Sequence, residues 1–153
     1  MEVRMTKDVL ISLCGLQFEQ ADADGGQIET IMTGSYYEKN GSHYLLFEEV
    51  MEGLDEPVKN KIRFKEHSLE LTRSGAVNVH MIFEENRKNM TSYHTPYGSI
   101  LIGINTRKIH ITQESDRIEV DVDYALDVNY EYLADCRIVL NIRSRGSVDK
   151  LIM

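Results

Sequence analysis

From Ile118 to Tyr130 every second residue is apolar: Ile118, Val120, Val122, Tyr124, Leu126, Val128 and Tyr130. Glu119, Asp121, Asp123, Ala125, Asp127 and Asn129 lie between them. Successive side chains of a strand point to opposite faces, so this segment has one dry face and one acidic, wet face. A helix would need apolar residues three as well as four apart, and strict alternation supplies no residue at the third position. At about 3.3 Å per residue the segment would reach roughly 43 Å, beyond the usual strand. Strands of that length are bent members of a barrel or of a strongly twisted sheet.

The same alternation recurs along the chain. Met5 to Phe18, Ile28 to Tyr37, His43 to Met51, Val58 to Glu66 and Ser68 to Arg73 read as strands. So do Val77 to Phe83, Met90 to Pro96, Ser99 to Thr112 and Cys136 to Ile142. Asn40-Gly41 is the clearest hairpin signal, and polar turns separate the rest, with Glu84 to Asn89 the longest of them. Between Ser99 and Thr112 the apolar parity switches from Ile100, Ile102 and Ile104 to Ile109 and Ile111, which predicts a bulge near Asn105-Thr106-Arg107. Leu46, Val50 and Leu54 also fit one face of a helix, so strand and helix compete over residues 45–54. Strands joined by short turns become antiparallel neighbours. An open sheet would leave two long edges exposed, and closure removes them. The expected fold is therefore all-β: a closed antiparallel up-and-down meander barrel of about eight to ten strands. Its first and last strands should be neighbours. Cys14 shares parity with Leu10, and Cys136 with Ile138, Leu140 and Ile142, so both thiols are expected to face inward near that seam.

A chain of 153 residues suits one domain with one core. With 42% hydrophobic and 27% charged residues it packs rather than remaining disordered. Its 17 basic and 25 acidic residues leave a net charge of −8. That sign argues against broad, charge-driven nucleic-acid binding, and no nucleic-acid partner is expected, although a local basic patch is compatible with it. No apolar stretch reaches the roughly 20 residues of a helical membrane span, so no membrane association is expected. The weak N-terminal apolar run Val9 to Leu13 is interrupted by Ser12 and reads as a strand rather than as a signal peptide. Two cysteines without metal-binding spacing point to free thiols in a reducing compartment, the cytoplasm.

Several segments together resemble one family. They are Tyr44-Leu45-Leu46-Phe47-Glu48-Glu49, Leu71-Thr72-Arg73-Ser74-Gly75, Met81-Ile82-Phe83 and Tyr93-His94-Thr95-Pro96-Tyr97-Gly98. Asp123-Tyr124-Ala125-Leu126 and Leu140-Asn141-Ile142 complete the series. Their order and spacing are similar to those of the YwiB-like family of small bacterial proteins of unknown function. The resemblance implies a calycin-like, lipocalin-related barrel and no established activity. The chain has no Trp, so the Gly-x-Trp signature of true lipocalins is missing, and lipocalin ligands do not carry over.

The residues offer little catalytic chemistry. His43, His67, His80, His94 and His110 form no metal-binding spacing. His80 and His94 flank one hairpin, but a pair without a third ligand makes a poor zinc site. Asp22 and Asp24 before Gly25 match the start of a calcium loop, yet Ile31 stands where such a loop requires Glu. No nucleophile elbow or phosphate loop occurs. Neither enzymatic activity nor a cofactor is expected.

Two features bear on binding. Lys59, Lys61, Arg63 and Lys65 place four cations on one strand face. Such a stripe is a solvated exterior that discourages aggregation, or it meets an acidic partner or phosphates. Arg73 shares parity with Leu69 and Leu71 and so points inward, either as a plug hydrogen-bonded to carbonyls or as the anchor of a ligand anion. Tyr124 and Tyr130 sit on the apolar face of the acidic strand, and Tyr93 lies beside a rim turn. The expected function is non-enzymatic binding of a small, anionic or amphipathic molecule in the barrel, lined by Arg73, Tyr93 and Tyr124. The alternative is a protein-interaction or structural barrel filled by its own side chains. A small-molecule ligand and a homodimer are the partners the sequence allows.

Overall fold

A computed structural model describes residues 7–15, 29–50, 53, 55–75, 78–95 and 98–145. Every named element is a strand: β1 (Asp8–Cys14), β2 (Glu29–Lys39), β3 (Ser42–Glu49), β4 (Val58–Lys65) and β5 (Ser68–Ser74). The chain continues through β6 (Val79–Glu84), β7 (Arg87–Thr95), β8 (Gly98–Gln113), β9 (Arg117–Val128) and β10 (Glu131–Ser144). They form one antiparallel sheet in the order β6-β5-β4-β3-β2-β1-β10-β9-β8-β7, curled into a nearly closed barrel. The first and last strands are neighbours, with Val9 opposite Ser144 and Leu13 opposite Leu140. Among the described residues, no helix is long and apolar enough to cross a membrane.

Alternation sets the inward faces. In β4, Val58, Asn60, Ile62 and Phe64 are buried while Lys59, Lys61, Arg63 and Lys65 are exposed, as the pattern predicts. In β9, Ile118, Val120, Val122, Tyr124 and Leu126 face the core. The expected bulge lies in β8, where the register to β9 shifts between Thr106 and Lys108. It keeps Ile102, Ile104 and Thr106 inward before it, and Ile109 inward after it. Asn40 and Gly41 both have positive φ, 53° and 80°, as a tight β2–β3 hairpin requires. Over residues 45–49 the strand prevails over the helical alternative, because Leu45 and Phe47 are buried while Leu46 and Glu48 are exposed.

Barrel curvature comes from strands that change partners. The N-terminal half of β2 pairs with β1, and from Ser35 onward it pairs with β3. Gly34 sits at this handover. A Cβ there would lie 2.5 Å from the Leu46 carbonyl oxygen and 2.7 Å from Ile11 Cδ1, so no larger residue fits.

Closure is incomplete between β6 and β7. These consecutive strands share no ladder, only the bridge Asn78–His94 and a hydrogen bond from Thr91 Oγ1 to the His80 carbonyl (2.6 Å). Their turn docks on β8 instead. Asn86 N donates to the Thr106 carbonyl (2.9 Å), and Glu85 Oε1 accepts from Ile109 N (3.0 Å). Those backbone and imidazole contacts hold the Glu85 carboxyl below its usual range, the Ile109 N–H being the largest cause.

Three expectations need correction. The polar turn is only Glu85-Asn86, and Arg87 to Asn89 already belong to β7. Tyr130 does not join the apolar face. It lies in the β9–β10 turn with φ 70° and is 77% exposed. Cys14 does not face inward, because Val9, Ile11 and Leu13 fill the core side of β1 and Cys14 takes the other, half-buried parity. Both parities of β1 are apolar, so alternation alone could not choose between them. Cys136 does share the inward parity of β10 and packs against the core.

Candidate functional site

Two groups of polar side chains inside the barrel bear on a site. The first is built on β3, β4 and β5. Arg73 is opposite Asn60 in the β4–β5 ladder, and both are buried. Arg73 Nε donates to Asn60 Oδ1 (3.0 Å), and Arg73 Nη2 donates to Glu49 Oε1 (3.3 Å). Asn60 Nδ2 donates to the Val58 carbonyl (3.3 Å). The two charged side chains, only 7% and 11% exposed, thus neutralise each other within the interior. The guanidinium already holds a carboxylate, so its charge is balanced from within the chain.

Tyr93 stands at the same end of the barrel as Arg73. The Asn78–His94 bridge sets β7 against β6 there, and Val79 is opposite Arg73. Tyr93 is inward and 6% exposed. Tyr124 is elsewhere. Tyr93 is opposite Ile100 of β8, whereas Tyr124 is opposite Thr106, six residues further along, or about 20 Å of strand. The structure therefore brings Arg73 and Tyr93 to one end and leaves Tyr124 at the other.

The second group surrounds Tyr124. Thr106 of β8 is opposite Tyr124 of β9, which is opposite Cys136 of β10. Asn89 of β7 is opposite Ile104, one inward step from Thr106. Directly opposed side chains start about 5 Å apart and diagonal ones about 7–8 Å, so these residues form a continuous polar row. Thr106 and Tyr124 are wholly buried. Among the described residues, only Asn89 Nδ2, Thr106 Oγ1 and Tyr124 OH are buried side-chain atoms without a hydrogen-bond partner. All three belong to this row. The Cys136 thiol lies beside the Tyr124 hydroxyl and offers it a weak hydrogen bond, short of the full partner a buried phenol takes. Burial, and then the nearby thiol, pushes the phenol far above its usual range, so it stays protonated. Burial likewise raises the Cys136 thiol. Phe83 of β6 packs edge-on against the Tyr124 ring (centroids 5.0 Å apart, 75° between planes). The row therefore combines neutral donors and acceptors with apolar walls, and it begins at β7, beside the unzipped β6–β7 seam.

Asn89, Thr106 and Asn60 were not among the expected site residues. A usable signal existed for two of them. Thr106 shares parity with Ile102 and Ile104, and Asn60 with Val58, Ile62 and Phe64. The histidines are engaged elsewhere. His80 Nε2 meets Glu70 Oε1 (2.5 Å), and His94 Nδ1 meets Ser99 Oγ (2.7 Å), so the two do not form a pair. The Tyr36 hydroxyl and His43 Nδ1 are 2.6 Å apart. Burial pushes the Tyr36 phenol up to about 12 and lowers the His43 imidazole, so the two meet as neutral groups, with the donor set by the imidazole tautomer. The calcium-loop candidates Asp22 and Asp24 lie outside the described residues.

Comparisons with known proteins agree with this architecture. The crystal structure of the ywiB protein from Bacillus subtilis superposes with a TM-score of 0.68, covering 90% of this chain and 89% of that one at 20% identity. At that identity the match speaks for the fold. No curated protein matches the sequence. A family model described as a domain of unknown function, DUF1934, matches residues 11–140. That match over most of the chain shows that this chain belongs to the DUF1934 family, a family of unknown function.

Proposed function

We propose that the barrel binds a small, neutral, amphipathic molecule at the Asn89–Thr106–Tyr124 row, without performing chemistry on it. One observation carries this reading: the three buried polar atoms lacking partners are neighbours on one inward surface. Each such group costs about 1–3 kcal/mol when left unsatisfied, and a ligand hydroxyl, carbonyl or amide would satisfy them together. Apolar surroundings such as Phe83 and Ile104 suit the rest of the molecule. The expectation of an anionic ligand loses its basis, since the Arg73 charge is matched by Glu49. A calycin relation would also favour an interior ligand, but only by analogy of fold. Free cysteines fit a cytoplasmic setting. The test is a thermal-shift screen of small neutral molecules bearing one polar end. A ligand should raise the wild-type melting temperature, and Thr106→Val should abolish that gain. An equal gain in both proteins, or none from any compound, sinks the reading.

A second reading, an interaction barrel that forms a homodimer, has its own support. Large side chains including Phe64, Phe83, Leu71 and Ile118 fill much of the interior. Tyr130 (77%), Tyr132 (63%) and Leu133 (61%) are exposed together on the β9–β10 hairpin. Sedimentation of Leu133→Asp against wild type decides it, a dimer that splits being the supporting result.

A further inference from the structure

Elsewhere on the barrel exterior, several cations are matched by carboxylates. Arg137 grips Asp121 with two nitrogens, Lys88 holds Asp127, and Arg107 holds Asp135 at 2.7 Å. Two of the four carboxylates on the acidic face of β9, Asp121 and Asp127, are thereby paired, and the Arg137 contact holds the Asp121 carboxyl below its usual range.

The outer face of β2–β4 is different. Lys59, Lys61, Arg63 and Lys65 project from β4, and Lys39 projects from the neighbouring hairpin. None of the five makes an ion pair with a described residue. Two carboxylates share the face. Glu48 is opposite Lys59 in the ladder but outside salt-bridge distance, and Glu70 is occupied by His80. A molecule with net charge −8 thus concentrates unmatched positive charge on one strip.

Aromatic rings stand on the same strip. Tyr37 and Tyr44 are cross-strand partners whose rings stack 4.7 Å apart and 7° from parallel. Lys61 Nζ and Arg63 Cζ lie 5.6 and 5.8 Å from the Tyr44 ring centroid. Tyr37, the outer ring, is 43% exposed. Tyrosine stacked on an open sheet surface gains little from the fold and offers a π-face to a planar partner.

We propose that this face binds single-stranded nucleic acid, its phosphates tracking the β4 cations and its bases stacking on Tyr37. Side chains at every second position of β4 are about 6.6 Å apart, on the order of the separation of successive phosphates in an extended strand. From Lys59 to Lys65 the row spans about 20 Å, room for three or four of them. A sheet face of this kind enters no duplex groove, and exposed rings need unstacked bases, so the single strand is the fitting form. The overall negative charge limits binding to this strip and makes it salt-sensitive rather than excluding it. The site is independent of the barrel interior.

The test is fluorescence anisotropy with a labelled oligothymidylate and the matching oligouridylate at low salt. Binding should weaken with salt with a log–log slope of about −2 to −3, as three or four neutralised phosphates require. Lys61→Glu with Arg63→Glu should reduce affinity more than tenfold and flatten the slope. Tyr37→Ala should cost about tenfold with the slope unchanged. Lys108→Glu, on the opposite face, should bind as wild type. All four positions are exposed or half-exposed, so melting temperatures report whether each variant folds. No binding at low salt would overturn the proposal. Equal loss from Lys108→Glu and from the Lys61/Arg63 pair would do the same. So would binding through this strip to phosphatidylserine vesicles but not to the oligonucleotides, or tighter binding of the duplex than of the single strand.

Discussion

Arg73 and Tyr124 both point into the barrel, but one is surrounded by partners and the other is not. At the Arg73 end, Asn60 and Glu49 accept from the guanidinium, and Asn60 gives its amide to a backbone carbonyl. At the Tyr124 end, Asn89 Nδ2 and Thr106 Oγ1 meet no partner and the Tyr124 hydroxyl meets only the weakly bonding Cys136 thiol. Burying a polar group is tolerable only when its hydrogen bonds are made. The first cluster meets that condition from within the chain and so acts as structure. The second leaves it unmet, and the proposed ligand site rests on that contrast rather than on inward polarity alone.

The largest expected effect tests the closed end. Arg73→Met should destabilise the protein by about 3–5 kcal/mol, because it leaves the Glu49 carboxylate buried without its counter-ion. Replacing the cluster together, with Arg73→Met, Glu49→Gln and Asn60→Leu, should recover much of that loss. Urea unfolding of the single and triple variants measures both values. A single variant as stable as wild type would mean that the cluster does not act as structure.

The opposite sign is expected at the open end. In ligand-free protein, Tyr124→Phe removes an unsatisfied hydroxyl and should stabilise by about 1 kcal/mol, as should Thr106→Val. Differential scanning calorimetry reads this as a higher melting temperature. A loss of stability in both variants would show that the hydroxyls are already paired and would erase the contrast between the two ends.

A smaller effect belongs to Tyr36–His43, a partnered pair beside Phe64. Burial lowers the folded His43 pKa below its ordinary value of 6.5, whereas the unfolded chain retains that value. Between the two, the unfolded state binds the extra proton, so stability is full above about pH 6.5 and declines as pH falls through the window beneath it. His43→Gln should flatten the melting temperature over that window. An unchanged slope would assign the pH dependence to other groups.

Much of the barrel was legible from residue patterns because side-chain alternation reports faces directly. The buried set of β4, the core side of β9 and the parity switch at Thr106 all follow from it. The β6–β7 seam does not. Val79 to Glu84 and Arg87 to Thr95 alternate like any hairpin, and the divergence of two backbones leaves no trace in which residues are apolar. The site was half legible for the same reason. Parity turned Arg73 and Tyr124 inward, but partners arise from register between distant strands. Only the ladder aligns Asn60 with Arg73, or Thr106 with Tyr124, and only the fold carries Glu49 to the guanidinium. Asn89 was read as part of a turn, so its inward position beside the seam stayed hidden.

Native mass spectrometry of freshly purified wild type and Thr106→Val tests the central claim most directly. The account predicts a discrete added mass on the wild type that is released on denaturation, and its depletion in Thr106→Val. Two bare chains of sequence mass would contradict it, leaving a barrel whose polar row is satisfied by nothing but water.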